Sequence, residues 1–125
     1  MILYNQVLSM VSSNIDITDA MTASSQNRLF GEIDPIGFDI SLSKVSHVIK
    51  NLKKLNNSII GDIHILDTPS GNMLKTLINA NLKLAVSSRT KPLSNDNYSI
   101  ITYDIENNPG FSNAQLLQIE HDIWI

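Results

Sequence analysis

Apolar residues recur along this chain with changing period, and the changes divide it into elements. Ile2–Val11 is apolar-rich with polar residues between and reads as a strand. Ser12–Asn27 is rich in Ser, Thr and Asn with weak periodicity, which predicts a strand over Asn14–Thr18 followed by a loop. Arg28–Ile33 is a short apolar segment around Gly31, and Asp34, Pro35 and Gly37 punctuate a turn after it. Val45, Val48, Ile49, Leu52 and Leu55 stand at helical spacing. Yet Asn56-Asn57, just beyond, has the chemistry of a hairpin turn, because Asn tolerates positive φ. On the residues alone, Val45–Leu55 stays open between helix and strand. Ser58–Leu66 reads as a strand: Ile59, Ile60, Ile63 and Ile65 are β-branched, with Asp62 and His64 on the alternate face from Ile63 and Ile65.

The clearest element follows. Thr68 suits a helix N-cap and Pro69 the first helical position, and Met73, Leu74, Leu77 and Ile78 form one apolar stripe. This predicts a helix over Pro69–Ala80, ended by Asn79 or Asn81. Leu82–Ser87 is then a short strand, Thr90–Asn97 a polar loop, and Tyr98–Ile105 a strand stopped by Asn107, Asn108, Pro109 and Gly110. The tail, Ser112–Ile125, carries Leu116, Leu117, Ile119, Ile123 and Trp124 and reads as a final helix or a docking strand. A tail so apolar has to be buried, in its own core or in a partner. The elements sum to an α+β fold, mainly antiparallel, with one clear helix.

Composition narrows the picture. The 125 residues are 42% apolar, enough for one core, and no linker, repeat or second compositional regime interrupts them, so residues 1–125 read as one domain. Nine basic and twelve acidic residues leave a net charge of -3, which gives no reason to expect nucleic-acid binding. Lys50, Lys53 and Lys54 form the only basic cluster and read as a solvated face. The absence of cysteine excludes disulfides, zinc-thiolate sites and thiol catalysis. Met1–Met10 includes Asn5 and Gln6 and has no basic stretch, so a signal peptide is not expected. No apolar run approaches the roughly 18 residues of a membrane span, so no membrane partner is expected either.

Four segments in order carry a family resemblance: Gly31-Glu32-Ile33-Asp34 before Pro35, then Leu42-Ser43-Lys44-Val45-Ser46-His47. The third is Ile65-Leu66-Asp67-Thr68-Pro69-Ser70-Gly71 with the later Leu84-Ala85-Val86-Ser87-Ser88-Arg89, and the fourth Ile101-Thr102-Tyr103-Asp104-Ile105 with Pro109 and Ala114. From about Gly31 to Ala114 the chain resembles the prohead proteases of tailed phages, serine endopeptidases that cut scaffold and head proteins inside an immature capsid. The resemblance implies the assemblin-like fold of that family, a small barrel-like sheet with packed helices, and with it a hairpin turning at Asn56-Asn57. It also implies a nucleophile at Ser87, the first serine of Ser87-Ser88-Arg89. The family's general base is a histidine in a Gly-Glu-Leu-(Asp/Asn)-His-Pro motif. Here Asp34 is followed directly by Pro35, Thr90 stands where the family has a glycine, and the N-terminal part is shorter than usual.

These departures fall on the chemistry. A serine hydroxyl is a poor nucleophile without a base. His47 is the obvious substitute, although it sits in a shared segment where its place serves structure. Asp104 matches an acidic position of the family and would orient a base, or else pair with a backbone donor or with Arg89. In an active enzyme Ser88 and Arg89 would hold backbone donors near an oxyanion; without a base they read as loop and surface contacts. His64 is expected on the solvent side. His121 with Glu120 and Asp122 matches no defined metal site, so neither metal nor cofactor is expected. Phe111 and Trp124 read as anchors of a core or an interface. The resemblance thus implies a phage head structural protein, auxiliary or minor in the capsid, with the protease fold and no catalytic residues. The alternative is a serine endopeptidase using Ser87, His47 and Asp104. Its expected partners are the major capsid protein or other head proteins, with self-association open, and its place is the phage head after synthesis in the bacterial cytoplasm.

Overall fold

A computed structural model describes residues 1–107. The expectations for Phe111, for the tail with Trp124 and for the His121 cluster lie outside them. The elements are β1 (Ile2–Met10), β2 (Ile15–Asp16), α1 (Thr18–Ser25), β3 (Phe30–Glu32), β4 (Val45–Leu55), β5 (Ser58–Ile65), α2 (Pro69–Asn79), β6 (Ala85–Pro92) and β7 (Tyr98–Glu106). A single 3-10 turn, Leu42–Lys44, leads into β4. The class is α+β, as expected. The sheet is not one closed barrel: four strands are ordered β1-β5-β4-β3 and three β2-β7-β6. The two sheets meet where Ile33, just beyond β3, bridges Ile105 of β7 in parallel.

Val45–Leu66 is the hairpin, with Asn56 at φ 56° in its turn. The helical spacing before the turn has a packing cause: Val45 through Ile49 are all buried, so both faces of β4 are covered and the period-two alternation is lost. Both neighbours of β5 bulge, at Asn5 in β1 (φ 52°) and at Asn51 in β4 (φ 56°). Asp62, at the centre of β5, accepts from Asn5 N at 2.8 Å and from Asn51 Nδ2 at 2.8 Å. This carboxylate was expected on the outer face of its strand; it is buried and joins the two bulges.

Thr18–Ser25 is helical where a loop was expected. Its buried residues are only Ala20 and Ser24, so it presents no apolar stripe that periodicity would detect. Ser24 instead patches the bulge in β4, where Oγ donates to the Ile49 carbonyl at 3.0 Å and accepts from Leu52 N at 3.3 Å. Helix α2 starts as expected: Thr68 Oγ1 accepts from Gly71 N at 2.9 Å and donates to the Val45 carbonyl at 2.7 Å. A Cβ at Gly71 would overlap the Leu66 carbonyl, so only glycine allows this close seating on the preceding strand. Leu74 and Ile78 are buried and Leu77 is half-buried, but Met73, expected in the same stripe, faces out. Strand β6 begins at Ala85 rather than Leu82 and continues through Thr90–Pro92, which pair with Tyr98–Ile100 instead of forming a loop.

The Leu74 side chain is completely enclosed. Leu74→Ala is expected to cost about 2–5 kcal/mol in urea unfolding and Met73→Ala no more than about 0.5 kcal/mol. Equal losses at the two positions would contradict this placement of the helix.

Candidate functional site

The β6–β7 ladder sets Ser87 directly across from Asp104 and Arg89 across from Thr102. Paired residues share a face, and so do residues two apart, so Ser87, Arg89, Asp104 and Glu106 all lie on one side. Arg89 grips Asp104 with two parallel bonds, Nε to Oδ2 at 2.9 Å and Nη2 to Oδ1 at 2.6 Å. Nη2 also reaches Glu32 Oε2 at 3.4 Å, and Nη1 donates to the Asp39 carbonyl at 2.9 Å. Asp104 Oδ1 further accepts from Glu32 N at 2.9 Å, while Glu32 Oε2 accepts from Ser41 N at 2.9 Å. Pairing with Asp104 pushes the Arg89 pKa above its already high ordinary value. Arg89 is therefore not the surface contact expected of it: it is 7% exposed and ties β3, β6, β7 and the loop before β4 together.

His47 lies across from Gly31 in the β3–β4 ladder and is wholly buried. Its Nε2 is 2.9 Å from the Tyr103 carbonyl, which only accepts, so this nitrogen carries the proton. In the neutral ring Nδ1 is then the acceptor for the Ser46 hydroxyl at 2.7 Å. A Cβ at Gly31 would overlap both His47 Nε2 and the Tyr103 carbonyl, so the glycine leaves the path along which the ring crosses from one sheet to the other. Burial lowers the His47 pKa, outweighing the Tyr103 carbonyl and the Asp104 charge, which act the other way. With both nitrogens engaged, neither is left for Ser87. The structure thus brings Ser87 and Asp104 to one face and holds His47 in a separate bond pair.

Ser87 is half-buried, and Ser88 points to the opposite, exposed side. Glu106, on the same face as Ser87, escaped the sequence reading. The Glu106 pKa is raised, first by burial and then by Asp104 and Asp34, while a hydrogen bond with Ser87 pulls it down. Asp34, where the motif departs from the family, has φ 44° and donates its N–H to the Ile105 carbonyl at 3.0 Å. Glu106 falls one residue past the expected end of its strand, yet the alternation of Thr102, Asp104 and Glu106 marks it as continuing the same face. His64, on β5, is half-exposed.

No family model matches the chain, and no curated protein matches it in sequence. Among solved structures it is similar to the bacteriophage T4 capsid assembly protease gp21, with a TM-score of 0.54 and 14% identity over 71% of this chain. The fold resembles that of a phage capsid assembly protease. The likeness extends over 59% of that protease. It supports the architecture implied by the four sequence segments, and at this identity it speaks for the fold alone.

Two outcomes test the site. Arg89→Met leaves a buried carboxylate pair without its cation and is expected to cost about 3–5 kcal/mol in chemical denaturation, with much of the loss recovered in Arg89→Met/Asp104→Leu. The second concerns pH. Since the folded-state pKa of His47 lies below the ordinary 6.5, the unfolded chain takes up its proton first as pH falls. The contribution of the neutral ring is full above about pH 6.5 and is lost as pH drops through that value toward the folded-state pKa. Between about pH 7 and 5 the unfolding free energy should therefore fall more steeply in the parent chain than in His47→Gln. Parallel curves would contradict a buried neutral His47.

Proposed function

We propose that this chain is a phage head protein that keeps the capsid-assembly-protease fold and works without cutting peptides, as an auxiliary or minor component of the head. The observation that carries the reading is His47. The one histidine in a segment shared with the proteases spends both nitrogens on Ser46 and Tyr103, so Ser87 has no imidazole among the described residues to take its proton. Asp104, which would orient such a base, is bound by Arg89 and Glu32 N. The loop between β3 and β4 supports a role in adhesion. Ile36, Phe38 and Leu42 are 91%, 63% and 71% exposed on it, and Arg89 holds its backbone at Asp39. Apolar side chains presented on an anchored loop suit contact with another head protein such as the major capsid protein.

A working serine endopeptidase is the second reading, and it draws on Ser87 and Glu106 lying on one face of the β6–β7 ladder, where Ser87 acts to lower the Glu106 pKa. A carboxylate there would have to serve as base in place of imidazole.

The two readings separate in the phage that carries the gene. With Ser87→Ala, heads are expected to assemble, head proteins to be processed as usual, and the chain to persist in mature particles in stoichiometric amount. Accumulation of uncut scaffold with Ser87→Ala, and equally with Glu106→Gln, would establish the endopeptidase instead.

A further inference from the structure

A cleft of about 360 Å³ lies between α1 and the start of β7. None of Ser87, Arg89, Asp104 and Glu106 borders it. Two cations do. Lys91 pairs with Ser99 in the β6–β7 ladder, in the part of β6 that was expected to be a loop. Arg28 stands in the turn between α1 and β3, where its N–H donates to the Ala23 carbonyl at 2.9 Å. Its Nε donates to Gln26 Oε1 at 2.5 Å, and its two terminal nitrogens bond to no described residue. Neither cation makes an ion pair among the described residues, in a chain whose net charge is -3. Two like charges on one cleft repel, and an anion between them turns that repulsion into attraction.

Ser99 is an independent sign. It is 3% exposed, and its hydroxyl makes no hydrogen bond with another described residue. Cross-strand partners share a face, so Ser99 looks the same way as Lys91, and both border the cleft. A buried hydroxyl without a partner is costly, and an acceptor in the cleft would meet it. The rest of the lining sets the character of that acceptor. Leu29, Ile40 and Ile100 give the cleft an apolar wall. Asp19, in the first turn of α1, is the one acid on it. Its charge opposes a doubly charged anion more than a singly charged one.

We propose that this cleft binds a carboxylate carried on an apolar body. Arg28 and Lys91 hold the carboxylate, Ser99 donates to one of its oxygens, and Leu29 and Ile40 pack against the body. The terminal nitrogens of a guanidinium form a fork that matches the two oxygens of one carboxylate. The volume falls at the low end of the roughly 300–1,000 Å³ of small-ligand pockets, which suits one residue-sized group. A free small acid and the C-terminal carboxylate of a peptide share this chemistry. The inference does not depend on whether Ser87 is catalytic.

The test follows leucine and isoleucine methyl resonances of the full chain during titration. The probes are N-acetyl-leucine, its uncharged amide, N-acetyl-alanyl-alanyl-leucine and inorganic phosphate. N-acetyl-leucine should shift the methyls of Leu29 and Ile40 saturably while those of Leu82 stay put, and the amide should bind about tenfold more weakly or less. Arg28→Gln and Lys91→Gln, both at exposed positions, should each weaken the acid by about tenfold and leave the amide unchanged. Phosphate should bind more weakly than the acid and gain affinity in Asp19→Asn. Tighter binding of the tripeptide than of N-acetyl-leucine would make a peptide C-terminus the source of the carboxylate, and the reverse order a free small acid; either supports the site. Acid and amide binding alike would mean an apolar cleft that does not read charge. Phosphate binding best would mean an anion site that does not read the apolar body. No saturable shift with either leucine acid would mean no site. Each of these three results overturns the proposal. The comparison of acid with amide uses the parent chain, so it decides the matter even where a variant folds poorly.

Discussion

Arg89 brings a permanent positive charge into the join between two sheets, and the organisation around it follows from the need to pair that charge. An isolated buried guanidinium would be very costly, whereas one that is paired and fully hydrogen-bonded is tolerable. Asp104 supplies the bidentate partner, Glu32 a second carboxylate, and the Asp39 carbonyl takes one of the remaining donors. Because these groups come from β3, β7 and the loop before β4, meeting the charge also fixes how those segments sit on β6. Such a network specifies geometry more than it adds net stability, since removing a single partner is far more damaging than replacing the whole set by apolar groups.

The same join constrains the chemistry. His47 crosses it through the gap above Gly31 to donate to the Tyr103 carbonyl, and burial keeps the ring neutral. A histidine can act as a base toward a serine only with an acceptor nitrogen free to face it. Nδ1 of His47 is already given to Ser46. In a catalytic triad the carboxylate orients the imidazole; in this structure the carboxylate of Asp104 is bound to arginine and a backbone amide, and the imidazole to a hydroxyl and a carbonyl. Residues that resemble a protease's in sequence thus make bonds suited to holding sheets together. Glu106, on the same face as Ser87, has its pKa raised by burial.

What could be read from the sequence follows a physical division. Helix α2 was legible because cap, first-position proline and apolar stripe all lie within a dozen residues. Strand β5 was legible through its isoleucines and the turn through Asn56-Asn57, but β4 was not legible from its residues, because a strand buried on both faces imitates helical spacing, and the hairpin followed from the family resemblance. Helix α1 was not, because its contribution is a serine hydroxyl that bonds into a bulge and not an apolar face. Asp62 was misplaced for a related reason: period-two alternation puts it on the outer face, and only the bulges on both neighbouring strands bring donors to it there. In the site, Ser87, Asp104 and His47 were nameable as types, but which of them bond to one another depends on strand register across two sheets. Sequence spacing does not encode that register.

On the proposed reading, Ser87 has no base among the described residues to activate it. The most direct measurement is covalent labelling of the intact chain by a fluorophosphonate, which reports serine nucleophilicity whatever the natural substrate, with the modified residue located by mass spectrometry. The account expects no more label on the parent chain than on Ser87→Ala over the pH range in which the protein is folded. Labelling of Ser87 that approaches one per chain, and that is lost on substituting Glu106, would contradict it.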